Sequence, residues 1–223
     1  MTGAAQQADN DSVRQLLQEL ADHPAIGGLA ADIERAFRLI AASLERGGTL
    51  YLTGNGGSLS DALHISGELL KSFALPRPLP PGLAERLGVT TDGAALAAHL
   101  QAGLRAHALG VNPALSSAVA NDIALPGIGP AQELVALARP GDVLLTISTS
   151  GRSRSVLYAA TVARALEVPV IALTGAADSP LAERADLALR APARETHLIQ
   201  ELHLAIYHRL CLLLEAHFYG ERV

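Results

Sequence analysis

The sequence predicts an α/β fold: a doubly wound, five-stranded parallel sheet flanked by helices, with an N-terminal helical segment and a long C-terminal helix. Three observations carry this. Short runs apolar enough to be buried on both faces alternate with stretches of helical periodicity. Two of these runs open into loops rich in glycine or hydroxyl residues that lead into helices. With 223 residues, 49% of them hydrophobic, the chain has material for one sizeable core rather than two small ones.

Taken in order, residues 1–11 are small and polar and read as a frayed tail. Residues 12–21 form a short helix that stops near Pro24. Over 29–46 the apolar residues Ile33, Phe37, Ile40 and Leu44 recur at helical spacing, and Gly47-Gly48 ends the helix. Residues 49–53 are β-prone and run into Gly54-Asn55-Gly56-Gly57-Ser58, then into a helix from 59 to about 73. Four prolines lie between 75 and 88, and 92–100 has the look of a short helix. The stretch 74–103 is therefore expected to be an excursion from the domain, too short for a core of its own. Further strands are expected at 104–109, 142–147, 169–173 and 186–190, with a helix over 153–167 and a closing helix over about 196–218. The organisation that results is a tail and helix over 1–28 and a single domain over 29–223.

Composition excludes some functions. Aromatic residues are 3% and Trp is absent, so there are no stacking platforms for single-stranded nucleic acid. A net charge of -5 gives no attraction for a polyanion, although a small anion needs only amides and hydroxyls. Cys211 is the single cysteine and sits in an apolar run, so buried packing is expected of it. The first residues show no basic cluster followed by an apolar stretch, and no apolar run approaches ~20 residues, so neither a signal peptide nor a membrane span is expected. The expected compartment is the cytoplasm.

In open α/β sheets, ligands bind where the carboxyl ends of strands meet helix N-termini. The loop 53–58 has three glycines that allow close approach of the backbone. It is neither a dinucleotide fingerprint nor a P-loop, since no Lys follows. The second loop, Ser148-Thr149-Ser150-Gly151-Arg152-Ser153, offers four hydroxyls beside a helix start, which suits a phosphate. Helix capping is the plainer explanation of such residues, but capping needs one hydroxyl and not four. On the helix after the first loop, His64 and Glu68 stand four apart and share a face. On the closing helix, Gln200, His203 and His208 interrupt an apolar stripe, as in a satisfied core helix or an interface that carries a site.

The phrases GNGGSLSDALHISGELL, LLTISTSGRS and IQELHLAIYH together resemble the sugar isomerase (SIS) family, and more narrowly its phosphoheptose isomerase branch. The resemblance covers about 30–73 and 104–219. It implies that Ser58, Ser148, Thr149, Ser150 and Ser153 hold a substrate phosphate, with Asn55, Gly56, Gly57, Asp61, Asp122 and Gln200 near the substrate. Glu68 matches the family's catalytic base and His208 its partner acid/base. His64, Glu68, Gln200 and His208 match the ligands of a zinc ion reported for some members, a donor set that nickel or cobalt would also suit and a role that competes with Glu68 acting as base. The implied reaction is the aldose–ketose isomerisation of sedoheptulose 7-phosphate to D-glycero-D-manno-heptose 7-phosphate, which feeds nucleotide-heptose synthesis. Another phosphosugar isomerase, of a pentose 5-phosphate for example, and a non-catalytic phosphosugar sensor are the other readings. Retention of Glu68, His208 and Gln200 together favours an enzyme, since a binding module needs no general base.

Gln200 and His208 are eight residues apart, a helical rise of roughly 12 Å, yet both would need to reach one ion within about 2 Å. The expectation is that they serve one site from different chains, in a homo-oligomer, a homotetramer as in the family. Some family positions are changed. Ser72, beside Lys71, stands near a family arginine, and His197 replaces an aspartate. Arg77 and Arg105 are candidates for the missing cation, against an exposed surface role for each.

Overall fold

The computed structural model describes residues 10–220; most of the expected tail, residues 1–9, lies outside them. Helix α1 (Asp11–Ala21) is capped by Asn10, whose side chain accepts the Val13 N–H. The same side chain donates to the Ala216 carbonyl near the other end of the chain, 2.7 Å away. A 3-10 turn (Gly27–Leu29) leads into α2 (Ala30–Glu45), which buries Ile33, Phe37 and Ile40 as its periodicity requires. Gly47, at a φ of 81°, turns the chain into β1 (Leu50–Thr53).

Helix α3 (Gly57–Leu70) stops three residues earlier than the sequence suggests, because Lys71 is fully extended. Arg77, in the segment beyond the helix, is the cause. It donates to the carbonyls of Leu69 and Glu68, so the last turn of α3 is closed by a side chain rather than by further helix. The proline-rich stretch is not all loop: α4 (Pro81–Gly88) begins with Pro80 at its cap and Pro81 in its first turn, where a missing N–H removes no bond. It packs on α5 (Gly93–His99) to make a helical hairpin. Pro78 and Gln101 bridge its two ends, and the Ala102 N–H donates to the Arg77 carbonyl at 2.9 Å.

Strand β2 (Ala106–Ala108) is narrower than expected. The segment between it and the next strand, which periodicity leaves unassigned, forms α6 (Pro113–Asp122) and α7 (Gly129–Leu137). Then come β3 (Val143–Ile147), α8 (Arg154–Ala165), β4 (Val170–Gly175), the short α9 (Pro180–Arg184), β5 (Leu187–Ala191) and α10 (Thr196–Tyr219).

The sheet is five-stranded and entirely parallel, in the order β2-β1-β3-β4-β5. Alternate residues of each strand feed two cores. Leu50, Leu52, Val143, Leu145, Ile171 and Leu173 join a cluster with α1, α2, α3 and α10. Tyr51, Leu144, Val170 and Ala172 join the other, with α7, α8 and α9. This is the doubly wound architecture expected of fully buried parallel strands. The order in which strands are added switches sides between β1 and β3, so the crevice at their carboxyl ends is the place for a ligand.

Candidate active site

The two loops predicted to bind a ligand flank that crevice. Gly56, at a φ of 55°, and Gly151, at 60°, take backbone conformations that a side chain would strain. Asn55 spans the crevice: its amide donates to the hydroxyls of Ser153 and of Ser155, the latter at 2.8 Å, and Ser155 donates back to Asn55 Oδ1 at 3.1 Å. The β1 and β3 loops are thus tied by side chains. Ser155 is a site residue that the sequence motifs do not single out, although it is one more hydroxyl two residues beyond Ser153.

Ser58 and Ser148 are buried, Thr149 and Ser153 are half-buried, and Ser150 is exposed. Gly57 has a separate reason to be glycine. A Cβ there would overlap the Gln200 amide, so its absence lets α10 bring Gln200 against the start of α3. Beside these loops a cleft of about 400 Å³ is walled by α6 and the chain just after it, with Asn55, Ser155, Ser116, Ile123 and Gly127 among its lining. Asp122 does not line it. That residue is exposed at the end of α6 and accepts from the Asn121 amide at 2.7 Å. Ser148, Thr149, Ser150, Glu68 and His208 also lie outside the cleft.

A second constellation forms further along α3 and α10, which run side by side. His64 Nε2 is 3.1 Å from Glu68 Oε1. The Tyr207 hydroxyl lies 3.0 Å from His64 Nδ1 and 3.3 Å from Asp61 Oδ1. The rings of His64 and His208 meet edge to face with centroids 5.1 Å apart, and Phe73 and Tyr207 pack against His208. Tyr207 has one proton for two acceptors, so its direction is coupled to the His64 tautomer. A His64 that donates to Glu68 through Nε2 leaves Nδ1 to accept from Tyr207. Burial raises both the Tyr207 and the Asp61 pKa, and the nearby Asp61 carboxylate adds to the rise at Tyr207. Burial and then the neighbouring His64 lower the pKa of His208.

Buried polar atoms without partners are uncommon and mark sites. Among the described residues they are Thr53 Oγ1, Asp61 Oδ2, His203 Nδ1 and His208 Nε2. The first lies at the carboxyl end of β1, the second and fourth in the α3–α10 constellation. His203 is a core residue: fully buried, it meets the Thr174 carbonyl at 3.2 Å, and desolvation pushes its pKa down to about 4. Cys211 is buried packing as expected, with its thiol pushed up to about 12 by burial.

The structure therefore brings His64, Glu68 and His208 together and sets Gln200 apart, beside Gly57. Among the described residues no three His, Cys, Asp or Glu side chains gather as a metal site. Nor do the two constellations merge within one chain. Glu68 lies ten residues beyond Ser58 on α3, about 15 Å of helical rise. Neither candidate cation reaches this region as a surface group. Arg77 is buried and paired with Glu215, and Arg105 lies at the opposite end of the sheet. His197 is exposed in the first turn of α10.

Models of the SIS domain match residues 10–104 and 127–214. The chain belongs to the SIS domain family. Within it, the chain falls in the phosphoheptose isomerase branch. A protein of that name from Thiobacillus denitrificans is 40% identical over 190 residues, 84% of each chain. Another, from Rhodospirillum rubrum, is 37% identical over 206 residues, covering 92% of this chain and 96% of the relative. The solved structure of a phosphoheptose isomerase from Francisella tularensis superimposes with a TM-score of 0.68 at 31% identity, over 92% of this chain and 93% of that one. The first family match begins at residue 10 and so takes in α1.

Proposed function

We propose that this protein is an aldose–ketose isomerase that converts sedoheptulose 7-phosphate to D-glycero-D-manno-heptose 7-phosphate for nucleotide-heptose synthesis. The observation that carries the reading is the buried, unpartnered Nε2 of His208 beside the His64–Glu68 pair. A carboxylate and an imidazole with a free nitrogen are the equipment for moving one proton between carbons and another between oxygens.

In this mechanism Ser58, Ser148, Thr149, Ser150 and Ser153 hold the phosphate with help from the N-terminus of α8, and Asn55 fixes the two loops relative to each other. Glu68 removes a proton from C1 of the ketose, and the freed electron pair forms the C1=C2 bond of an enediol. The C2 oxygen takes up a proton as the O1 hydroxyl loses one, and His208 serves as the carrier. Glu68 then returns its proton to C2, and C1 becomes the aldehyde. Atoms and charge balance without an external co-reactant.

Zn2+ is the proposed cofactor. The unpartnered His208 nitrogen, the adjacent His64 imidazole and the Glu68 carboxylate suit it chemically, and it would polarise the carbonyl and hydroxyl oxygens of the sugar. Gln200, two turns from His208 on the same helix, would complete the set from a second copy. The separation of Glu68 from the serine loops supports the same assembly: a homo-oligomer, read as a homotetramer, in which one chain's phosphate cradle faces another chain's acid–base pair. No helix among the described residues is long and apolar enough to cross a membrane, and the proposed setting is the cytoplasm.

The test is incubation with sedoheptulose 7-phosphate in deuterated water, with and without chelator. Deuterium entering the sugar at C1 or C2 is the expected result, with a lower rate after chelation. Phosphosugar binding with no deuterium exchange would overturn the enzymatic reading in favour of a sensor.

A further inference from the structure

We propose that the amino-terminal end of the sheet, opposite the candidate active site, carries a second anion site that takes a phosphate-bearing small molecule. A cavity of about 340 Å³ opens there, lined by Arg46, Thr49, Tyr51, Arg105, Arg139 and Asp142 among others. That volume falls within the range of small-ligand sites. Its walls come from three strands at once. Thr49 leads into β1, Arg105 leads into β2 and Asp142 into β3, while Arg46 caps the end of α2.

Three arginines, Arg46, Arg105 and Arg139, line this cavity in a protein whose net charge is -5. None of the three takes part in an ion pair among the described residues, whereas Arg35, Arg77, Arg190 and Arg209 each do. Arg105 uses Nε to reach the Thr49 hydroxyl at 3.2 Å. Arg139 uses one terminal nitrogen on the carbonyls of Ala136 and Ala138. Each guanidinium has five N–H donors in a planar fork that matches phosphate oxygens, so most of these donors are open to a ligand.

The one carboxylate in the lining does not cancel them. Asp142 is buried, and its two oxygens are taken by the backbone N–H groups of Thr49 and Arg139, both at 2.7 Å. Three cations and one inward-turned anion leave a net local charge of about +2, suited to a phosphate monoester or a diphosphate. The competing account is that the arginines only offset the negative ends of α2 and α7. Arg139, with its two carbonyl bonds, fits that account. Arg105, bonded to a hydroxyl at a strand start, does not.

The experiment is calorimetric titration of the full chain with inorganic phosphate and, separately, with pyrophosphate. Three proteins are compared: wild type, Arg46→Ala/Arg105→Ala, and Ser148→Ala/Ser150→Ala, with circular dichroism as the check on folding. The expected result is a binding event that survives in the serine variant and weakens at least tenfold in the arginine variant. Equal affinity for the two probes would point to a monophosphate ligand, and tighter pyrophosphate binding to a diphosphate. Should the arginine pair not fold, Arg46→Glu, at an exposed helix end, replaces it with the same expectation. An isotherm unchanged by the arginine substitutions, or one abolished by the serine substitutions alone, overturns the proposal.

Discussion

The Glu215 carboxylate on α10 receives three consecutive backbone N–H groups, those of Phe73, Ala74 and Leu75, together with the Nε–H of Arg77 at 2.8 Å. The other guanidinium nitrogens end on the carbonyls of Leu69 and Glu68. Both side chains are fully buried. One ion pair thus closes the last turn of α3, anchors the start of the excursion and joins both to α10, next to the residue proposed as catalytic base.

A buried pair broken on one side leaves a charge with no partner, at a cost of about 3–5 kcal/mol. Glu215→Gln is expected to lose stability on that scale in urea denaturation, because the carboxamide cannot accept all four bonds. A loss below about 1 kcal/mol would mean the pair is not the anchor described.

The sequence made the sheet legible because β1, β3 and β4 are dominated by apolar residues and buried along their whole length, and the two ligand loops legible because glycines and hydroxyls cluster where strands end. It did not make Arg77 legible. An arginine among prolines reads as exposed, and its partner lies 138 residues away on a helix whose apolar stripe hides Glu215. The early end of α3 arises from the same long-range pair. Helices α6 and α7 escape a reading by periodicity because neither repeats apolar residues strongly at helical spacing. Of the candidate site, the His64–Glu68 pair was readable from its spacing, whereas the Tyr207–Asp61 link to it and the Asn55–Ser155 bridge depend on which helices and loops meet in space.

Glu68→Gln keeps the shape of the side chain but removes the base, and is expected to lower kcat by about 10²–10⁴-fold. Inorganic phosphate binding, read by calorimetry, should be little changed, because the serine loops lie about three turns of α3 away. Retention of a normal kcat in this variant would rule Glu68 out as base.

Gly57 and Gly54 separate function from folding. A methyl group on Gly57 meets only the flexible end of Gln200, while one on Gly54 meets the Ser58 backbone at 2.5 Å. Gly57→Ala is therefore expected to leave Tm within a few degrees and to lower kcat/KM at least tenfold by displacing Gln200. Gly54→Ala should lower Tm itself, since backbone cannot step aside as a side chain can. Unchanged kinetics in Gly57→Ala would remove Gln200 from the site.

His203 should set an acid limb of stability. Its pKa is held at about 4 in the fold by desolvation, against 6.5 for the free side chain. Between those values the unfolded chain binds a proton that the folded chain refuses, so stability falls as pH drops from 6.5 towards about 4 and this contribution then levels off. A shift of that size corresponds to an effect on the order of 3 kcal/mol. Urea denaturation of wild type and His203→Gln across this window measures it: the wild type should lose more stability than the variant, which has no group to protonate there. Parallel curves for the two proteins would show that the imidazole is charged, or solvated, in the folded state.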